Sequence, residues 1–203
     1  MREACSIILF FLIVIFNGCN GVSSKPEVDI SHLKSRSAEA KRFCIENNLD
    51  SRYYFLIDLA RHSGLKRFYV WDLENDKIIA AFLVSHGCGD NPWSEDLSRN
   101  SVSVSNVIGS HKSSVGKYVI GERGFSEWGI GVKYLLHGKD LTNSNALRRN
   151  IVLHSWDRVP DKEIYPRGTP EGWGCPAISN KNMRIIDNML QDSDRKVLLW
   201  IIK

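Results

Sequence analysis

The sequence predicts a mainly β domain, sandwich or barrel-like, with a few peripheral helices. Three observations lead there. Short runs rich in aromatic and branched residues recur along the chain, Tyr53-Tyr54-Phe55-Leu56-Ile57 and Phe68-Tyr69-Val70-Trp71 among them. Turn-forming clusters such as Ser63-Gly64 and Glu74-Asn75-Asp76-Lys77 separate them at short intervals. Helical spacing of apolar residues is confined to two stretches, one at each end of the domain. With 203 residues, 43% of them apolar, the chain holds enough material for one domain with a substantial core. The formal net charge is +4, a mild excess that suits an acidic surface or polymer. No long basic run or nucleic-acid motif is present, so nucleic acid is excluded as the expected partner.

Taken in order, residues 1–19 read as an export signal. An apolar core of about ten residues ending at Phe16 is shorter than a membrane span and suits a signal-peptide segment. The Gly18-Cys19 pair that follows resembles a lipoprotein processing site, with Cys19 as the lipidated residue and a lipid anchor in the membrane as the result. Phe16 and Asn17 stand where that site usually carries Leu and a small residue. Residues 20–36 are small and polar and read as a tether, leaving 37–203 as the folded domain. A helix is expected over 37–48, capped by Ser37. Strands over 53–60, 67–73 and 78–84 form an antiparallel meander. The polar stretch 86–114 is irregular, and strands resume at 116–121 and 131–136. A further short strand ends at His154, Ser179 caps a helix through Met183, Ile186 and Met189, and 197–202 closes as a strand.

Two elements carry chemistry. The run Ile151-Val152-Leu153 delivers His154 to a strand end, and Glu171-Gly172-Trp173-Gly174-Cys175-Pro176-Ala177 sets a cysteine between glycine and proline. An imidazole that takes the thiol proton, and a thiolate that attacks a carbonyl, are the parts of nucleophilic thiol catalysis. Glycine at 174 lets a carbonyl substrate approach, and backbone N–H groups at Trp173, Gly174 and Cys175 can hold an oxyanion. Pro176 has no N–H to give. Ser155 or a backbone carbonyl is placed to fix the imidazole tautomer, and the start of the following helix to favour the thiolate. A structural cysteine and an unrelated histidine remain the alternative on residues alone.

Of the five cysteines, Cys44, Cys88 and Cys175 belong to the exported domain, so at least one stays free unless chains pair. A Cys44–Cys88 bridge is one arrangement. No Cys-x-x-Cys pair or zinc-type histidine spacing occurs, and no metal is expected. Ser85-His86-Gly87-Cys88 is a second cysteine motif, but His62 is the only earlier histidine of the domain that could serve it, and it reads as a decoy. His137 is a second decoy, and His32, His62 and His111 read as surface or loop residues.

His154 and Trp173-Gly174-Cys175-Pro176-Ala177 resemble the L,D-transpeptidase catalytic domain (YkuD-like) family, in its branch with Trp-Gly-Cys-Pro at the nucleophile. The likeness runs over about 52–180 and includes Phe55-Leu56-Ile57-Asp58, Val84-Ser85-His86-Gly87, Ser113 to Tyr118, and Asn145 with Arg149, in the family's order. The resemblance implies that family's β-rich fold, Cys175 as nucleophile and His154 as its partner. It implies peptidoglycan stem peptides as substrate in the cell envelope or periplasm, and no metal or organic cofactor. The thiolate would attack the carbonyl of the third stem residue, expel D-alanine, and pass the acyl group to an amine or to water. A transpeptidase is expected first and a carboxypeptidase or endopeptidase second; a non-catalytic envelope-binding lipoprotein is the rival of another class. Ser114, Gly116, Arg149, Ser155 and Trp156 are the expected substrate-side residues. Glu171-Gly172 stands where the branch usually has Arg-Ser, which removes a cation from beside the thiol.

Overall fold

The structure is a computed structural model that describes residues 30–90 and 102–203. The expected export signal, Cys19, most of the tether and part of the 86–114 stretch lie outside the described residues. One eight-stranded mixed sheet organises the domain, built from β1 (Tyr53–Asp58), β2 (Phe68–Asp72), β3 (Lys77–Phe82), β4 (Gly116–Phe125), β5 (Val132–Gly138), β6 (Val152–Ser155), β7 (Ala177–Ile178) and β8 (Leu198–Ile202). Its spatial order is β3-β2-β1-β8-β4-β5-β6-β7. Two helices, α1 (Ser31–Glu46) and α2 (Asn180–Gln191), complete it.

The expected meander is present: β1 pairs with β2 and β2 with β3, both antiparallel. Strand alternation then sorts the side chains. Tyr53, Phe55 and Ile57 enter the larger core with Leu199, Ile201, Tyr118, Tyr134 and Leu153. Tyr54, Leu56, Trp71 and Trp200 face the other way, against α1. Central strands buried on both faces read as continuous apolar runs, which is why β1 and β8 are apolar almost throughout. The far edges nearly meet. Beyond β3 the chain runs beside 172–177, where Ser85 N–H donates to Ala177 O at 2.8 Å and Gly172 N–H to His86 O at 2.8 Å. These bonds bring the first strand in the order to the last and roll the sheet into a nearly closed barrel.

Several boundaries differ from expectation. α1 begins at Ser31, so residues 31–36 are helix where a tether was expected, and Ser37 lies inside rather than at the cap. The cause is a stripe formed by Leu33, Ser37, Ala40 and Cys44, buried along one side of the helix, which holds its first turn on the sheet. β4 extends past Gly121 to Phe125, because its outer half forms an exposed hairpin arm with β5 and needs no apolar pattern. Arg123 secures that arm to α2 through Asp187, at 2.8 and 3.0 Å, and Tyr134 Oη donates to the same carboxylate at 2.6 Å. β7 is two residues long and shows no period in sequence. Ser179 caps α2 as expected, accepting from Asn182 N–H at 3.3 Å. No disulfide joins Cys44 to Cys88, so the bridge considered above does not form; burial pushes the Cys44 thiol up to about 12.

Candidate functional site

His154 and Cys175 open onto one cavity of about 420 Å³. β6 points Leu153 into the core and therefore turns Val152 and His154 to the opposite face, toward that cavity. Across the sheet, Lys133, His154 and Ala177 are successive Cα partners on β5, β6 and β7. The pairing of Ala177 with His154 delivers Cys175, two residues earlier, to the same place.

The imidazole is oriented by backbone. His154 Nδ1 lies 3.0 Å from Ser155 O, an oxygen that can only accept, so Nδ1 carries the proton and Nε2 presents its lone pair. The hydroxyl of Ser155 acts elsewhere, accepting from Ile130 N–H at 2.9 Å and so tying the β4–β5 hairpin turn to β6. Burial lowers the His154 pKa, the Ser155 bond opposes that, and Lys133 lowers it further. Cys175 Sγ is half-buried, accepts from Val152 N–H at 3.4 Å and donates to Asn150 O at 3.6 Å. Burial raises its pKa above 9.0, against the lowering effects of the Val152 bond, Arg149 and Lys133. Among the described residues no hydrogen bond joins the thiol to the imidazole. Both groups are therefore neutral at rest, since burial disfavours the thiolate and the imidazolium alike.

The loop that carries Cys175 is held from behind. Gly174 sits at φ +106°, and a Cβ there would lie 2.7 Å from Lys112 O. Ser113 Oγ donates to Gly174 O at 3.1 Å. The N–H groups of Gly174 and Cys175 have no protein acceptor among the described residues. The N-terminus of α2 begins five residues beyond the thiol, after β7, and Ser179 there donates to Asp161.

Of the residues expected on the substrate side, Trp156 lines the cavity, and Trp173 lines it as well, exposed and stacked on His111 at 5.2 Å. Ser114, Gly116 and Arg149 are not among the lining residues. Arg149 commits its guanidinium to Ser105 O at 2.8 Å, Lys112 O at 2.5 Å and the Ser114 hydroxyl, binding the 105–114 segment behind Gly174. Ser114 also donates to Ser105 O at 2.8 Å, and Gly116, at φ +130°, opens β4 under Asn143 and Asp140. The Ser85-His86-Gly87-Cys88 motif forms the closing seam of the barrel: His86 is fully buried between Arg67, 2.8 Å from Nδ1, and Glu171, 3.3 Å from Nε2. His137 bonds Glu122 at 3.1 Å, and His32 bonds Asp58 at 3.1 Å. Sequence reading overlooked Lys133, whose position on the outward register of β5 beside the histidine strand was the available signal.

A thiol and an oriented neutral imidazole on one cleft of a rolled β sheet are a layout suited to thiol acyl transfer. The chain belongs to the L,D-transpeptidase catalytic domain family, whose pattern matches residues 24–200. Members of that family act on peptidoglycan and are typically cysteine enzymes. No curated protein matches the chain. Among solved structures it is similar to the helical cell shape determining protein Pgp2 from Campylobacter jejuni, in a point-mutant form, at 16% identity over 82% of this chain and 56% of that one, with a TM-score of 0.44. It is also similar to an L,D-transpeptidase from Xylanimonas cellulosilytica, at 14% identity over 79% of this chain and 68% of that one, with a TM-score of 0.39. The chain thus spans about half the length of the Pgp2 chains it matches.

Proposed function

We propose that the domain is a cysteine L,D-transpeptidase of the Trp-Gly-Cys-Pro branch, acting on peptidoglycan stem peptides with Cys175 as nucleophile and His154 as its base. The observation that carries this reading is the cavity that His154 and Cys175 both line, together with the bond that commits His154 Nδ1 to Ser155 O and leaves Nε2 to act as a base. His154 Nε2 takes the Sγ proton as sulfur attacks the stem carbonyl, and the N–H groups of Gly174 and Cys175 receive the negative oxygen. Collapse breaks the C–N bond, and the imidazolium returns its proton to the departing D-alanine amine. An acceptor amine then attacks the thioester, giving up a proton to His154, and sulfur leaves as the thiol. Water in the acceptor's place makes the same chemistry a carboxypeptidase. Trp156 and Trp173 supply the apolar walls of the cleft, and Arg149 with Ser114 supports the nucleophile loop from outside it by holding the 105–114 segment. We further infer export to the cell envelope through residues 1–19, with Cys19 as the lipidated anchor. The mass of the mature N-terminus tests that inference, an unlipidated residue overturning the anchor.

The deciding experiment is incubation of the protein with a stem tetrapeptide and mass spectrometry of the product. The expected result is an acyl adduct on Cys175, absent in Cys175→Ala and retained in Cys88→Ala. A folded protein that forms no adduct, or an adduct on Cys88, overturns the assignment. Product analysis with and without an amine acceptor separates transferase from hydrolase.

A further inference from the structure

Lys133 is the one lysine or arginine that lines the cavity among the described residues. It stands directly opposite His154 across the β5–β6 pair, and on its other side the β4 partner is Gly124, which has no side chain to cover it. The stem of Lys133 runs beside that glycine, where an added Cβ would be 3.8 Å from Cε. Among the described residues Lys133 forms no ion pair, whereas Lys34, Lys112, Lys117 and Lys196 each have an acidic partner. The two carboxylates lining the same cavity do not engage it: Glu171 is held on His86, and Glu127 lies in the hairpin turn. A half-buried lysine therefore lines the cavity with no anionic partner among the described residues.

We propose that Lys133 is the specificity-determining residue that binds the free α-carboxylate of the D-residue expelled from the stem. This rests on the transpeptidase reading above and adds the group that the cleft selects. The argument is one of reach. His154 must return its proton to the nitrogen of the leaving residue, and that residue's carboxylate hangs one carbon beyond the nitrogen. Directly opposed residues on antiparallel strands have Cβ atoms about 5 Å apart. A cation across the ladder from the imidazole is thus spaced to hold the carboxylate while the imidazole serves the amine. The contact selects stems that end at the expelled residue over stems whose carboxylate is amidated or extended.

The test compares kcat/KM for a stem tetrapeptide ending in free D-alanine with that for the same peptide ending in D-alaninamide. The full chain, Lys133→Met, Lys133→Gln and Lys133→Arg are measured. The wild type is expected to prefer the free carboxylate about 10- to 100-fold, the range of a charge-assisted hydrogen bond. Lys133→Met and Lys133→Gln should lose most of that preference, and Lys133→Arg should keep it. If the wild type shows no preference, or the neutral variants slow both peptides equally, the assignment is overturned, the latter result placing Lys133 in support of the thiolate. If the wild type forms no acyl adduct with either peptide, the transpeptidase reading itself fails and this assignment falls with it.

Discussion

Glu171 Oε1 lies 3.3 Å from His86 Nε2, joining the segment of Cys88 to that of Cys175 inside the closing seam of the barrel. The Glu171 carboxylate is therefore a partner of the Ser-His-Gly-Cys motif. Arg67, fully buried and bonded to Val84 O and His86, supplies the compensating charge. The seam sits immediately before Gly172 and Trp173, so its integrity sets where the loop that carries Cys175 begins.

Glu171→Ala removes the carboxylate and leaves Arg67 and His86 buried with one partner fewer. The expected cost is about 2–3 kcal/mol, read as a fall in the urea midpoint at constant slope. A change smaller than about 0.5 kcal/mol would show that the seam contributes little.

Stability should fall on mild acidification. His86 and His154 both have pKa values lowered by burial, so between the folded values and the unfolded value near 6.5 the unfolded chain binds more protons. Their contribution is complete above about pH 6.5 and is lost as pH drops through the folded values. Thermal midpoints taken from pH 8 to pH 5 should decline below about pH 6.5, and less steeply in a folded His86→Gln variant. A flat profile across that window contradicts the burial argument.

Alkylation of Cys175 by iodoacetamide should climb about tenfold per pH unit up to pH 9 without a plateau, since the free thiol's pKa is raised above 9.0. Turnover should instead hold down to below pH 6.5 and then decline, because it needs neutral His154, whose pKa is lowered. A plateau in alkylation near neutral pH indicates a preformed thiolate–imidazolium pair and rules out the neutral resting dyad.

Gly174→Ala forces a side chain into positive φ and brings Cβ to 2.7 Å from Lys112 O. The loop must shift, and a displacement near 1 Å at the nucleophile costs about 100-fold in rate. Adduct formation on Cys175 with a stem tetrapeptide measures this; a variant within about threefold of wild type would show that the loop tolerates the move.

Arg149→Met takes away the bonds to Ser105 O and Lys112 O that hold the 105–114 segment against Gly174. Amide hydrogen exchange in that segment should accelerate at least tenfold while the β1–β8 amides stay protected. Uniform acceleration across the sheet would assign Arg149 to global stability instead.

The β class, the meander, the strand that carries His154 and the cap at Ser179 were legible from residues alone, because apolar period and capping chemistry are local properties. Glycine and proline around Cys175 marked the loop before β7 for the same reason. Pairing across the chain was not legible. β7 exists because two residues meet His154 and Ser155, and the Ser85-His86-Gly87-Cys88 segment became a seam because its backbone meets Gly172 and Ala177. Lys133 reads as one solvated lysine on an alternating strand until register sets it opposite His154. Arg149, expected to face substrate, is drawn instead onto carbonyls of a segment some forty residues away. Local sequence thus determined which chemical groups the domain owns. Strand register and the rolling of the sheet decided which of them share the cleft, since those depend on hydrogen bonds between residues far apart in the chain.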